Sequence, residues 1–173
     1  MNPTQLDSVT PPRSALHRIF NIAEGVVGAD TRFASAMTRH LHGWWLRANG
    51  GRVPLKRQFD ITEHGQIAAN IFLTELTPEG EFRFRLLGEN VIHLIGGNRT
   101  GDLVKGSPSA RAGFGHALDE YYWSIAHERQ CNLCLGSLAF ADNDFWRFES
   151  LDCPLSSDGE RVDFIIGVMD IVD

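Results

Sequence analysis

The sequence predicts an α+β fold: a five-stranded antiparallel sheet with flanking helices and an N-terminal helical extension. Three observations predict it. Two apolar runs, 67–76 and 82–87, flank Thr77-Pro78-Glu79-Gly80-Glu81, the composition of a hairpin turn. Three strand-like runs close the chain at 131–140, 144–154 and 161–171, joined by turns too short for crossovers, so they form a meander. The strands are grouped around helices instead of alternating with them, which separates α+β from a parallel α/β sheet.

Each element follows from local pattern. Residues 1–12 carry Pro3, Pro11 and Pro12 among small polar residues and read as a flexible arm, with Thr10-Pro11-Pro12 also able to start a helix. Residues 13–65 form the helical extension. Leu16, Ile19, Phe20 and Ala23 recur at helical spacing until Gly25 and Gly28. A longer helix, with Asp30 as N-cap and Gly50-Gly51 as its stop, lines up Phe33, Met37, Leu41, Trp44 and Ala48 on one face. Residues 66–173 carry the sheet. Phe82, Phe84 and Leu86 alternate with Arg83 and Arg85, giving that strand one buried face. A short helix spans 90–95, a glycine-rich loop 96–101, and a third helix runs from Ser109 as N-cap to Glu128.

Composition narrows the function. With 173 residues, 43% apolar and 22% charged, the chain is an ordinary globular domain that needs no metal or disulfide to fold. A net charge of −6 argues against a phosphate-tracking nucleic-acid binder. Three cysteines fit a reducing compartment. The start shows no secretory signal, and no apolar run approaches the roughly 20 residues of a membrane span. A cytoplasmic protein with no membrane or nucleic-acid partner is expected.

The element order over about 66–171 resembles that of a PAS domain. The chain is also similar to small, mainly alphaproteobacterial, single-domain PAS-like proteins. The similarity lies in Trp44-Trp45-Leu46-Arg47 through Gly50-Gly51-Arg52-Val53-Pro54, in Ile71-Phe72-Leu73, and in Phe82 through Glu89. It extends to Thr100-Gly101-Asp102-Leu103 and to the last hairpin, Pro154 through Val162. The resemblance implies a stand-alone sensor or adaptor, non-catalytic, that binds a small molecule between sheet and helices or signals through a separate protein. It names no cofactor. Haem-binding relatives would take a ligand from the long helix, where His116 and His127 stand; flavin photoreceptors require a Cys near Gly97-Asn98-Arg99 that this chain lacks.

Candidate ligand-binding residues are Phe72, Phe84, Arg85, Tyr122, Trp123 and Trp146. Aromatic walls with few polar groups are typical of ligand pockets, although a closed core uses the same residue types. Leu86, Tyr121, Phe140 and Phe148 belong to the same group. Strict alternation would turn Arg85 outward, toward the extension or a partner. The stripe Phe33, Met37, Leu41 and Trp44 is either core against the chain's own sheet or the seam of a homodimer. Cys131 and Cys134 stand three apart on a strand and so point to opposite faces, which makes a shared metal unattainable without a bulge. No catalytic group and no metal site is predicted. Asp142, Asp144, Glu149 and Asp152 supply only loose material for a rival small enzyme or carrier acting in the same cavity.

Overall fold

The computed structural model describes residues 14–106 and 111–173. The arm at 1–12, the Thr10-Pro11-Pro12 start and the Ser109 cap lie outside the described residues. Along the rest, α1 (Ala15–Phe20), β1 (Ala23–Val26) and α2 (Ala36–Ala48) precede the hairpin β2 (Ile71–Leu76) and β3 (Phe82–Leu87). Then come α3 (Glu89–Ile95), α4 (Phe114–Glu128), β4 (Asn132–Leu138), β5 (Asn143–Ser156) and β6 (Val162–Val172). The fold is α+β, with one antiparallel sheet in the order β1-β4-β5-β6-β2-β3.

The sheet has six strands, not five. The sixth comes from the stretch read as the tail of a helix. The first helix stops at Phe20 because Asn21 takes the left-handed conformation and its N–H closes on Leu16. Released from the helix, Ala23–Val26 pairs with β4, Ala23 opposite Leu135 and Val26 opposite Asn132. Gly25 lies within this strand.

The extension thus wraps round one edge of the sheet. The first helix packs on α4 at the inner face, β1 covers the β4 edge, and α2 crosses to the outer face. That helix begins at Ser35, five residues later than the predicted Asp30. Thr31 closes a turn back on Gly28, and the segment after it is held by a buried carboxylate on β5. Glu149 accepts from the backbone N–H of Ala34 at 2.8 Å and of Ser35 at 3.0 Å, and from the Thr38 hydroxyl. Ser35 Oγ donates to Asp170 of β6 at 2.6 Å and accepts from Met37 N–H as the cap. A carboxylate at the first turn of a helix meets its free N–H groups and its positive dipole end together.

Two cores result. Beneath α2, Leu41, Trp44 and Trp45 pack on the outer-face residues Ile71, Leu151, Leu155, Ile166 and Val168, with Phe33 and Met37 against the same cluster. The stripe Phe33, Met37, Leu41 and Trp44 is therefore covered by the chain's own sheet. Trp45 Nε1 donates to the carbonyl of Pro154 at 2.9 Å. That proline is tolerated because β4 pairing has ended at Asp152, so the missing N–H breaks no ladder bond there. The inner core joins Leu16, Phe20 and Ile22 of the extension to Phe72, Phe82, Phe84, Tyr121, Ile125, Leu138 and Phe148.

The predicted inward face of the hairpin holds only in part. Leu73 faces Leu86 but Thr74 faces Phe84, so Arg85 is an extra residue on β3. A bulge of this kind reverses the alternation beyond it. Leu86 consequently packs on the outer face and Leu87 on the inner one. The long helix starts at Phe114 with Gly113 at its cap, later than the predicted Ser109.

Candidate functional site

Between the inner sheet face and α1, α3 and α4 lies a cavity of about 100 Å³. The sheet floor is set by one row across four strands: Asp152 on β5, Gly167 on β6, Phe72 on β2 and Leu87 on β3. The Phe72 ring lies flat over Gly167, where a Cβ would come within 2.0 Å of it. Glycine there lets the aromatic ring serve as floor. Val91 and Ile95 of α3, and Phe114, Leu118, Tyr121 and Tyr122 of α4, form the roof; Leu16 and Ile22 of the extension close one end. A mostly apolar hollow with a few convergent polar groups is the usual form of a small-molecule site.

The polar groups gather at the β4–β5 end. Asp152 is buried, and Tyr121 Oη donates to its Oδ2 at 2.9 Å, with Ser150 Oγ at 3.4 Å from the same oxygen. Cys134 Sγ in turn donates to Tyr121 Oη at 3.1 Å. Burial pushes the Asp152 carboxyl up to about 7, against the two hydrogen bonds that favour its ionised form, and the nearby charge of Glu24 adds to the rise. Burial likewise drives Tyr121 and Cys134 well above their ordinary values, with the Asp152 charge next in weight. Glu24 of β1, directly opposite Cys134 in register, is also raised by burial, and its Oε2 has no hydrogen-bond partner. At the other side, Arg99 lines the cavity from the loop that follows α3 and bonds back to β3 through Gly101 N–H and the Phe84 carbonyl.

Of the six residues singled out from sequence, Phe72, Phe84 and Tyr122 line this cavity. Arg85 does not: at the bulge it turns outward and pairs with Glu75 at 3.1 Å, not with the extension. Trp123 lies on the flank of α4 against Phe82 and His127, with ring centroids 5.6 Å from each. Trp146 stands at the exposed start of β5, 44% accessible, beside a fully open Phe145. Both residues share the aromatic character of the true lining, and only the end of a strand or the turn of a helix separates them from it. His116 and His127 are exposed on α4 and line no part of the cavity. Cys131 packs in the outer core beside Cys153, with Sγ atoms 2.8 Å apart, whereas Cys134 belongs to the inner core, as opposite-facing strand positions require. Among the described residues, no cluster of three or more His, Cys, Asp or Glu is placed to hold a metal ion, and no helix is long and apolar enough to cross a membrane.

Sequence reasoning passed over the polar end of the site. Asp152 stood only among the loose acid–base material for a rival enzyme and Ser150 was not singled out, yet each shares the inward parity of Phe148 along β5. Extending the alternation from Phe148 through Ser150 to Asp152 was the signal that would have found them.

The antiparallel sheet with its flanking helices is the α+β class that the sequence predicts. No family model and no curated protein matches the chain. Among solved structures it is similar to an RNA-binding light-oxygen-voltage receptor, at 13% identity and a TM-score of 0.46, over 87% of this chain and 38% of that one. It is also similar to the light-state structure of the blue-light photoreceptor Aureochrome1 LOV, at 16% identity and a TM-score of 0.40, over 66% of this chain and 90% of that one. The chain thus spans well under half the length of the first of these.

Proposed function

We propose that this chain is a PAS-like sensor or adaptor that takes a small molecule into the inner-face cavity and passes the change to a separate signalling protein without catalysis. One observation carries the reading: the cavity is walled partly by the extension. Leu16 and Ile22 line it, and the same segment runs on as β1 along the sheet edge and as α2 across the outer face. Ile22 is in close contact with the β4 backbone, since a Cβ on Gly136 would stand 3.0 Å from it. A ligand with different affinity for two placements of α1 therefore shifts the population of both, and with it the surface that the extension presents.

The chemistry of the polar end favours binding over catalysis. A nucleophilic cysteine needs a depressed pKa, and burial holds the Cys134 thiol well above the ordinary range.

Native mass spectrometry of freshly purified protein against its denatured mass tests the reading. A non-covalent adduct of a few hundred daltons, together with slower amide exchange in 15–26 when it is bound, is the expected result. An adduct that leaves exchange in 15–26 unchanged overturns the signalling route. Unliganded protein whose cavity also takes up none of a panel of small aromatic compounds overturns the binding reading.

A further inference from the structure

We infer that the cavity selects a cationic ligand, a small primary amine or amidine on a single aromatic ring, seated with its charge against Asp152. The inference rests on the cavity being a binding site, as proposed above, and adds the chemical class. A carboxyl group is rarely buried without a cation or a full set of donors. Asp152 is 2% exposed and lines the cavity, yet among the described residues no Lys, Arg or His pairs with it. Among the described residues its two hydrogen bonds, from Tyr121 and Ser150, both land on Oδ2, and none reaches Oδ1. A second carboxyl, Glu24, stands at the same end with a buried, unpartnered oxygen. The inner face thus brings a second carboxyl near Asp152, and the positive charge of His17 acts on Glu24 and not on Asp152.

The groups facing Asp152 from each packed element are Glu24 on β1, Cys134 on β4, and Tyr121 and Tyr122 on α4. Every one of them is neutral or negative. Arg99 comes from the β3 side, three strands from β5 in the sheet, roughly 14 Å at the usual strand spacing. It leaves the Asp152 end open to a cation.

The aromatic body follows from the walls. Phe72, Phe84, Phe114, Tyr122, Phe140 and Phe148 surround the remaining space, and ring faces attract a cation as well as an arene. The volume accommodates one ring with a short substituent. An incoming ammonium restores the favourable surroundings that burial removes from the carboxylate, so ligand binding and loss of the Asp152 proton go together.

Three probes of one shape separate the outcomes: benzylamine, benzyl alcohol and benzoate, each titrated into the full chain by calorimetry and by amide NMR. At a pH about one unit above 7, benzylamine is expected to bind roughly tenfold tighter than benzyl alcohol. Its affinity should fall roughly tenfold when the pH drops to about 6, because Asp152 takes up a proton while the amine keeps its own. Asp152→Asn should abolish the preference for the amine over the alcohol and with it the pH dependence of amine binding. The pH series on the unmodified chain stands even if that variant fails to fold. Equal binding of amine and alcohol, or tighter binding of benzoate through Arg99, overturns the cationic class and leaves the cavity reading standing. No shift with any probe in residues lining the cavity overturns the cavity reading and the ligand class with it.

Discussion

Asp152 couples the site to the stability of the chain. Its carboxyl titrates near 7 in the fold against an ordinary value of 3.8, so between those limits the folded state holds a proton that the unfolded state has released. Stability from this group is fully present below about pH 4 and is lost as pH rises through 7. At about 1.4 kcal/mol for each tenfold change in proton affinity, the gap between those two values sets a scale of a few kcal/mol. Asp152→Asn removes the titration. The variant should therefore be close to the parent near pH 4 and clearly more stable at pH 8, as read from urea midpoints; parallel curves would sink the assignment. Gly167→Ala is expected to act through packing instead. The added methyl drives the Phe72 ring off the sheet and into the cavity, costing about 1–3 kcal/mol. A melt matching the parent, with cavity binding intact, would count against it. At this scale the sequence was half legible. Aromatic residues declare themselves as lining, but Phe72, Phe84 and Tyr122 cannot be told from Trp123 and Trp146 by type. A buried acid looks like any surface acid until its parity along β5 is tied to a known inward neighbour.

The element most dependent on a single side chain is α2. Its N-terminal turn is fastened to the sheet by Glu149, which receives two backbone N–H groups and the Thr38 hydroxyl in a site closed to water. Glu149→Ala leaves the buried Ser35 N–H and the half-covered Ala34 N–H unmatched, at about 1–3 kcal/mol for a buried group left without a partner, while the Thr38 hydroxyl keeps the Ser35 carbonyl. The expected result is a loss of at least about 2 kcal/mol in unfolding free energy, with faster amide exchange through 34–40 before the rest of the chain opens. Glu149→Gln keeps one acceptor and should recover part of the loss. Uniform exchange in both variants would show that the helix is held by its apolar face alone. Periodicity identified this helix, the hairpin, the long helix and the final meander because each carries a full amphipathic pattern. It misplaced the helix start because the deciding contact is with a residue more than a hundred positions away. It missed β1 because four residues containing a glycine carry no period of their own and become a strand only by pairing with β4.

On the scale of the whole molecule, the extension is a structural layer and not an appendage to a finished domain. Without 14–65, the sheet would expose Ile71, Leu151, Leu155, Ile166 and Val168 on its outer face, and the β4 edge would lose its partner. An open apolar sheet face with an unpaired edge strand is prone to association with other copies. The inner core would also lose Leu16, Phe20 and Ile22, opening the cavity that Leu16 and Ile22 wall. The sequence shows that the stripe on α2 needs cover but not what supplies it, because a sheet of the same chain and a second copy offer the same apolar chemistry. The boundary drawn at residue 66 from pattern therefore makes a strong prediction when it is cut. A fragment of 66–173 should fail to fold as a monomer, eluting as aggregate and showing no cooperative melt by circular dichroism. Adding the 14–65 segment as a separate chain should rescue it in part, since α2 and β1 bind through surfaces the fragment already presents. A soluble monomeric fragment with a melt like that of the full chain would show that the sheet closes on itself, and the route from cavity to extension would lose its physical basis.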